Sequence, residues 1–87
     1  MNQAVLVEDE IEYQIALSEA LKLDAKQWSI NYFTRGKEAV AFYADLKTPP
    51  SIAIVDIGLP DISGLEVIKK FKERTPLIPI LVYTIVP

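Results

Sequence analysis

Ile52-Ala53-Ile54-Val55-Asp56 sets four apolar residues, mostly β-branched or small, directly before a carboxylate. An apolar run without polar alternation suits a strand buried on both faces, and strands of that kind belong to parallel sheets with helices on either side. Near the N-terminus, Ala4-Val5-Leu6-Val7 has the same character and runs into Glu8-Asp9-Glu10. Two buried strands that both end in acid are therefore the frame from which the remaining elements are read.

Between these strands, Tyr13, Ala16, Leu17, Ala20 and Leu21 recur at helical spacing, with Glu12, Glu19 and Lys22 falling elsewhere, which gives an amphipathic helix over residues 11–23. Trp28–Phe33 is aromatic and β-branched and alternates with Ser29 and Asn31, as an edge strand with one wetter face would. Thr34 stands where it can cap a second helix over residues 37–46, which carries Ala39, Val40, Phe42, Tyr43 and Leu46. Pro49-Pro50 prevents that helix from continuing. After Asp56 comes a loop with Gly58, Pro60 and Gly64. Ser63 and Glu66 then have capping-box spacing, and Leu65, Ile68 and Phe71 give a third helix its apolar stripe. Residues 78–86 are dominated by Ile, Leu, Val, Tyr and Thr and read as a fourth strand. The order βαβαβαβ implies one α/β domain over residues 1–87, with an open parallel sheet and right-handed crossovers.

Composition narrows the chemistry. The 87 residues are 51% hydrophobic, ample for one core, and the net charge of -3 without a basic run argues against a nucleic-acid-binding role. With no cysteine and no histidine, disulfides, thiolate catalysis, an imidazole base and the usual zinc ligands are all removed. Any site must be built from oxygens. Residues 1–6 do not read as a signal peptide, and residues 77–86 are too short and proline-broken for a membrane span, so a cytoplasmic protein is expected.

In open parallel sheets function gathers at the carboxyl ends of strands, where Glu8, Asp9, Asp56 and Thr84 all fall. Three carboxylates brought together repel by several kcal/mol at intermediate dielectric unless a cation sits among them, and a hard, oxygen-preferring ion such as Mg2+ meets that demand. A carboxylate is also a competent phosphoryl acceptor when the transferring charge is neutralised, which makes Asp56 the candidate acceptor. Gly58 is expected to let the backbone approach closely, with the Leu59-Pro60 pair holding the loop, so that a main-chain carbonyl completes a metal shell. Taken singly, each acid also has a plain reading: Glu8 and Asp9 as charges favouring a helix dipole, Asp56 as a turn residue.

Three blocks change that balance: Val5-Leu6-Val7-Glu8-Asp9-Glu10, Val55-Asp56-Ile57-Gly58-Leu59-Pro60-Asp61-Ile62-Ser63-Gly64-Leu65-Glu66, and Pro79-Ile80-Leu81-Val82-Tyr83-Thr84. In order and spacing they resemble the signature blocks of response regulator receiver domains, whose fold is flavodoxin-like. The resemblance implies that Asp56 is the phosphorylated aspartate, Asp9 a direct Mg2+ ligand, Glu8 a ligand through water, Gly58 a carbonyl ligand, and Thr84 the hydroxyl that follows the phosphoryl group. It implies a histidine kinase or phosphotransfer protein as partner, and a signalling module without a small-molecule substrate instead of an enzyme. The family pattern goes on to a helix, a fifth strand with a phosphate-contacting lysine and an aromatic residue, and a last helix. None of these has a counterpart in residues 1–87, and Ile85 stands where the family favours a small residue.

Two other functional classes compete with this reading. One is a receiver-like interaction or dimerisation module that does not cycle phosphate, with self-association through an exposed, apolar fourth strand. The other, a phosphohydrolase of the haloacid-dehalogenase type, would want a second aspartate where Gly58 stands.

Overall fold

A computed structural model describes residues 2–84. The elements follow in the order β1 (Asn2–Val7), α1 (Ile11–Ala20), β2 (Trp28–Phe33), α2 (Gly36–Ala44), β3 (Ile52–Asp56), α3 (Gly64–Arg74) and β4 (Ile80–Tyr83). The four strands form one parallel sheet in the order β2-β1-β3-β4, the flavodoxin-like arrangement expected, with β2 at an edge.

The two apolar runs are the inner strands. Val5, Val7, Ala53 and Val55 face one side, where they pack with Ala39 and Tyr43 of α2 and Val67 and Phe71 of α3. Ala4, Leu6 and Ile54 face the other, beneath Leu17 and Leu23. Alternate residues of a strand point to opposite faces, so both faces must be apolar for both sides to be covered. The α2–α3 side is tied further by the stacked rings of Tyr43 and Phe71, whose centroids are 4.0 Å apart. Arg74 adds to this by donating to the carbonyls of Ala44, at 2.6 Å, and Leu46, at the end of α2.

Several expectations need correction. Helix α1 ends at Ala20, not Leu23, and its inward face is Gln14, Leu17 and Ser18, whereas Tyr13, Ala16, Ala20 and Leu21 are exposed. Apolar periodicity gave the wrong phase because the most buried position is a glutamine, whose amide donates to the Glu8 carbonyl at 2.8 Å. Helix α2 is shifted to Gly36–Ala44, and Thr34 is not its cap. Asp61, from the loop after β3, instead accepts from the backbone N–H groups of Gly36 and Lys37 at 2.8 Å each. These donors, Lys37 first, hold the Asp61 carboxyl below its usual value. In α3, Ser63 is the cap but its side chain accepts from Leu65 N–H at 3.2 Å and not from Glu66, so the capping box is not formed; Leu65 itself is exposed and Val67 takes the inward place. Strand β4 is shorter than residues 78–86: Ile78 is core but precedes it, and Ile85 and Val86 lie outside the described residues.

The glycines around the acceptor loop also divide differently from expectation. None has a positive φ, and a Cβ on Gly58 would meet only Asp56 Oδ1 at 3.8 Å, an ordinary contact, so close approach does not require glycine there. At Gly64 a Cβ would run into the Asp56 carbonyl and lie 2.7 Å from Ile57 Cα. This is where α3 starts against the end of β3, with Gly64 N–H donating to Ile57 O at 2.9 Å. Gly64→Ala is therefore expected to lower stability by about 1–3 kcal/mol or more through overpacking against backbone, while Gly58→Ala stays within about 0.5 kcal/mol of wild type. Urea unfolding of the two variants checks this, and equal losses would contradict the assignment.

Candidate functional site

Strand register brings the acids together. Val7 of β1 is level with Val55 of β3, so Glu8, one residue on, arrives beside Asp56 at the carboxyl end of the sheet. Asp56 is in turn level with Tyr83 of β4, which sets Thr84 just beyond it. Carboxylate oxygens of Glu8, Asp9 and Asp56 lie within 4.8 Å of one another. With Gly58 and Thr84 these acids line an open pocket of about 240 Å3. All five residues singled out in the sequence thus meet in one place.

The three carboxylates are held unequally. Glu8 is 1% exposed. Its Oε1 accepts from the Tyr83 hydroxyl and its Oε2 from Glu10 N–H at 2.9 Å. Its backbone is fixed as well, with N–H donating to Phe33 O at 2.9 Å and the carbonyl accepting from Gln14 Nε2 at 2.8 Å. Asp56 is also buried, and its Oδ1 accepts from Gly58 N–H at 3.0 Å. Asp9 alone is exposed.

Burial raises the Glu8 carboxyl above its ordinary value. The Tyr83 hydroxyl and the Glu10 amide oppose the rise, while Asp9 and Asp56 reinforce it. Burial and the neighbouring Glu8 likewise push the Tyr83 hydroxyl up, so it remains a neutral donor. Among the described residues no lysine or arginine pairs with any of the three acids. A set made only of oxygens, with three carboxylates converging and no basic partner, fits a small hard divalent cation and gives no soft or nitrogen ligand for a transition metal.

Sequence reasoning missed three residues that shape this end of the molecule. Tyr83 draws no notice in the sequence, because a strand residue before a threonine carries no local sign that its hydroxyl reaches across to another strand. Gln14 is absent from the apolar pattern of α1, since a polar side chain gives no sign of its burial. Asp61 caps a helix whose first amides are more than a helix length away in sequence, beyond the reach of any local motif.

Comparison with known proteins places the fold in a family. The response regulator receiver domain family matches residues 4–86. The chain is 32% identical over 80 residues to the probable transcriptional regulatory protein TcrX of Mycobacterium tuberculosis, covering 92% of this chain and 32% of that protein. It is 32% identical over 85 residues to the transcriptional regulatory protein YdfI of Bacillus subtilis, covering 95% and 39%. The chain therefore spans between about a third and two fifths of the length of these relatives. Among solved structures, response regulator protein TrrA of Thermotoga maritima in complex with Mg(2+)-BeF is 28% identical with a TM-score of 0.77, covering 97% of this chain and 70% of that one. TrrA has also been solved in complex with the histidine kinase ThkA, with 27% identity, a TM-score of 0.74 and coverage of 97% and 69%.

Without a cation the cluster should oppose folding. Neutralising the exposed member, Asp9→Asn, removes two repulsions and is expected to raise metal-free stability by about 1 kcal/mol at low salt, the water-like end of the Coulomb range. The gain should shrink in high salt, where the repulsion is screened. Thermal melts in chelator at two ionic strengths measure it, and a variant that melts lower than wild type at low salt would contradict it.

Proposed function

The chain belongs to the response regulator receiver domain family, and on that premise we propose that residues 1–87 act as a phosphoacceptor module of two-component signalling, with Asp56 receiving a phosphoryl group from a histidine kinase in a Mg2+-dependent reaction. The observation that carries this reading is the convergence of Glu8, Asp9 and Asp56 oxygens within 4.8 Å, at the carboxyl ends of adjacent buried strands. TrrA, solved both with Mg(2+)-BeF and with a histidine kinase, supports the choice of ion and of partner. A bound Mg2+ would neutralise charge on the transferring group. Asp9 and Asp56 would hold the ion directly, the Gly58 carbonyl would add a ligand, and Glu8 would act through water.

The chain's own groups do the rest. Oδ1 of Asp56 is engaged by Gly58 N–H, so Oδ2 is the attacking atom. It forms a bond to phosphorus as the bond from phosphorus to the kinase histidine nitrogen breaks, which yields an acyl phosphate and a neutral histidine. The Thr84 hydroxyl, in the same pocket, donates to a phosphoryl oxygen. The acyl phosphate then shifts the population between two conformations of the domain. No conventional substrate is turned over, so the module signals and is not an enzyme in the metabolic sense. No helix among the described residues is long and apolar enough to cross a membrane, and a cytoplasmic site of action follows from the proposed partner.

A second reading, an interaction module that associates with itself and does not cycle phosphate, draws on β4. Among the described residues β4 is an edge strand, and Leu81 and Val82 are 39% and 40% exposed. Unpaired apolar edges favour strand pairing between chains.

One pair of measurements separates the readings. Incubation with acetyl phosphate and Mg2+ should add a single phosphoryl group, seen by intact mass, and Asp56→Asn should abolish it; equal labelling of the variant would place the acceptor elsewhere. A folded wild-type domain that takes up no phosphate, yet sediments as a dimer which Val82→Lys dissociates, would establish the second reading in its place.

A further inference from the structure

Tyr83 makes a connection that the sheet itself does not. Among the described residues strand β4 pairs only with β3, and β1 lies beyond it in the order β2-β1-β3-β4. The Tyr83 hydroxyl nonetheless donates to Glu8 Oε1, spanning the end of β3 to reach the residue that follows β1. The ring is half-buried and packs against the cluster of Leu6 and Ile54, so its direction is set by the core. With Oε2 held by Glu10 N–H, both oxygens of the Glu8 carboxylate have a fixed donor, and each keeps a second lone pair for a further partner.

We propose that Tyr83 is a positioning residue for the divalent-cation site: its hydroxyl fixes the Glu8 carboxylate in the orientation from which it holds the hydration shell of the ion. The proposal rests on the reading of Glu8, Asp9 and Asp56 as a Mg2+ site. A free glutamate head group must be ordered when it engages a cation, and partners that orient a ligand beforehand remove that loss from the binding free energy. A purely apolar residue at position 83 would fill the same space and leave Glu8 Oε1 buried without its donor. Tyr83 also immediately precedes Thr84, so the bond that orients Glu8 anchors the strand end that delivers the Thr84 hydroxyl to the pocket.

Tyr83→Phe keeps the ring and removes only the hydroxyl, so packing and positioning can be told apart. The experiment is titration calorimetry with Mg2+ on the 87-residue chain as wild type, Tyr83→Phe, Glu8→Gln, the double variant and Asp9→Asn, with a metal-free melt of each. Tyr83→Phe is expected to lower Mg2+ affinity roughly tenfold while remaining a cooperatively folded domain. In the Glu8→Gln background the same change should add nothing, since its effect passes through Glu8. Affinity within twofold of wild type for Tyr83→Phe, with binding abolished in Asp9→Asn, would overturn the role of Tyr83 and leave the metal site standing; so would losses that simply add in the double variant. Absence of Mg2+ binding by wild type would overturn the site itself, and this proposal with it.

Discussion

The level pairing of Val7 with Val55, in parallel register, is the constraint on which the carboxyl end of the molecule depends. Over residues 4–7 and 53–55 both strands are covered on two faces and inaccessible, so neither can slip by a residue without turning an inward side chain into the wrong layer. That rigidity forces Glu8 and Asp56, each at the end of its apolar run, into the same small volume. Packing energy spread along two strands thus sustains an electrostatic conflict concentrated at one end. A cation is the natural resolution of that conflict, and Asp9 is the exposed member of the three acids that line the open pocket.

The three acids divide the work by how they are held. Glu8 is immobilised from β2, α1, its own loop and β4, as befits a group that organises the site. Asp56 is tied through one oxygen to its own loop, which leaves the other for the proposed phosphoryl acceptance. Asp9, exposed, is the one able to follow an entering ion. The loop after Asp56 is itself fastened at two points, by the close approach of Gly64 to β3 and by Asp61 on the first amides of α2. An event at Asp56 therefore acts on a segment physically joined to two helices, which is the kind of linkage a conformational switch requires.

The sheet and the acid cluster were legible in the sequence because both are written in contiguous runs. Ala4-Val5-Leu6-Val7 and Ile52-Ala53-Ile54-Val55 declare their burial by lacking any polar residue, and the acids follow them directly. The phase of α1 was not legible, because a buried Gln14 satisfied by a backbone carbonyl looks the same in sequence as a solvated one. The caps of α2 and α3 show the same distinction. Ser63 acts on its own helix and could be read, whereas Asp61 acts on another and could not. Gly58 and Gly64 both sit in a turn-rich loop, and only the packing of α3 against β3 shows which of them space demands. Tyr83 is the sharpest case, since its role depends on a hydroxyl position that no spacing rule encodes.

The central claim is that one register-determined cluster, and no other acidic surface of the chain, holds the divalent cation. Its most direct test is a Mg2+ titration followed residue by residue through backbone amide shifts in a 1H–15N correlation spectrum. The account predicts saturable shifts centred on residues 8–10 and 56–58 and reaching Thr84, while Asp24, beside the start of β2, and Asp45, at the end of α2, stay unmoved. Shifts centred on those remote acids, or no saturable shift at residues 8–10 and 56–58, would contradict it.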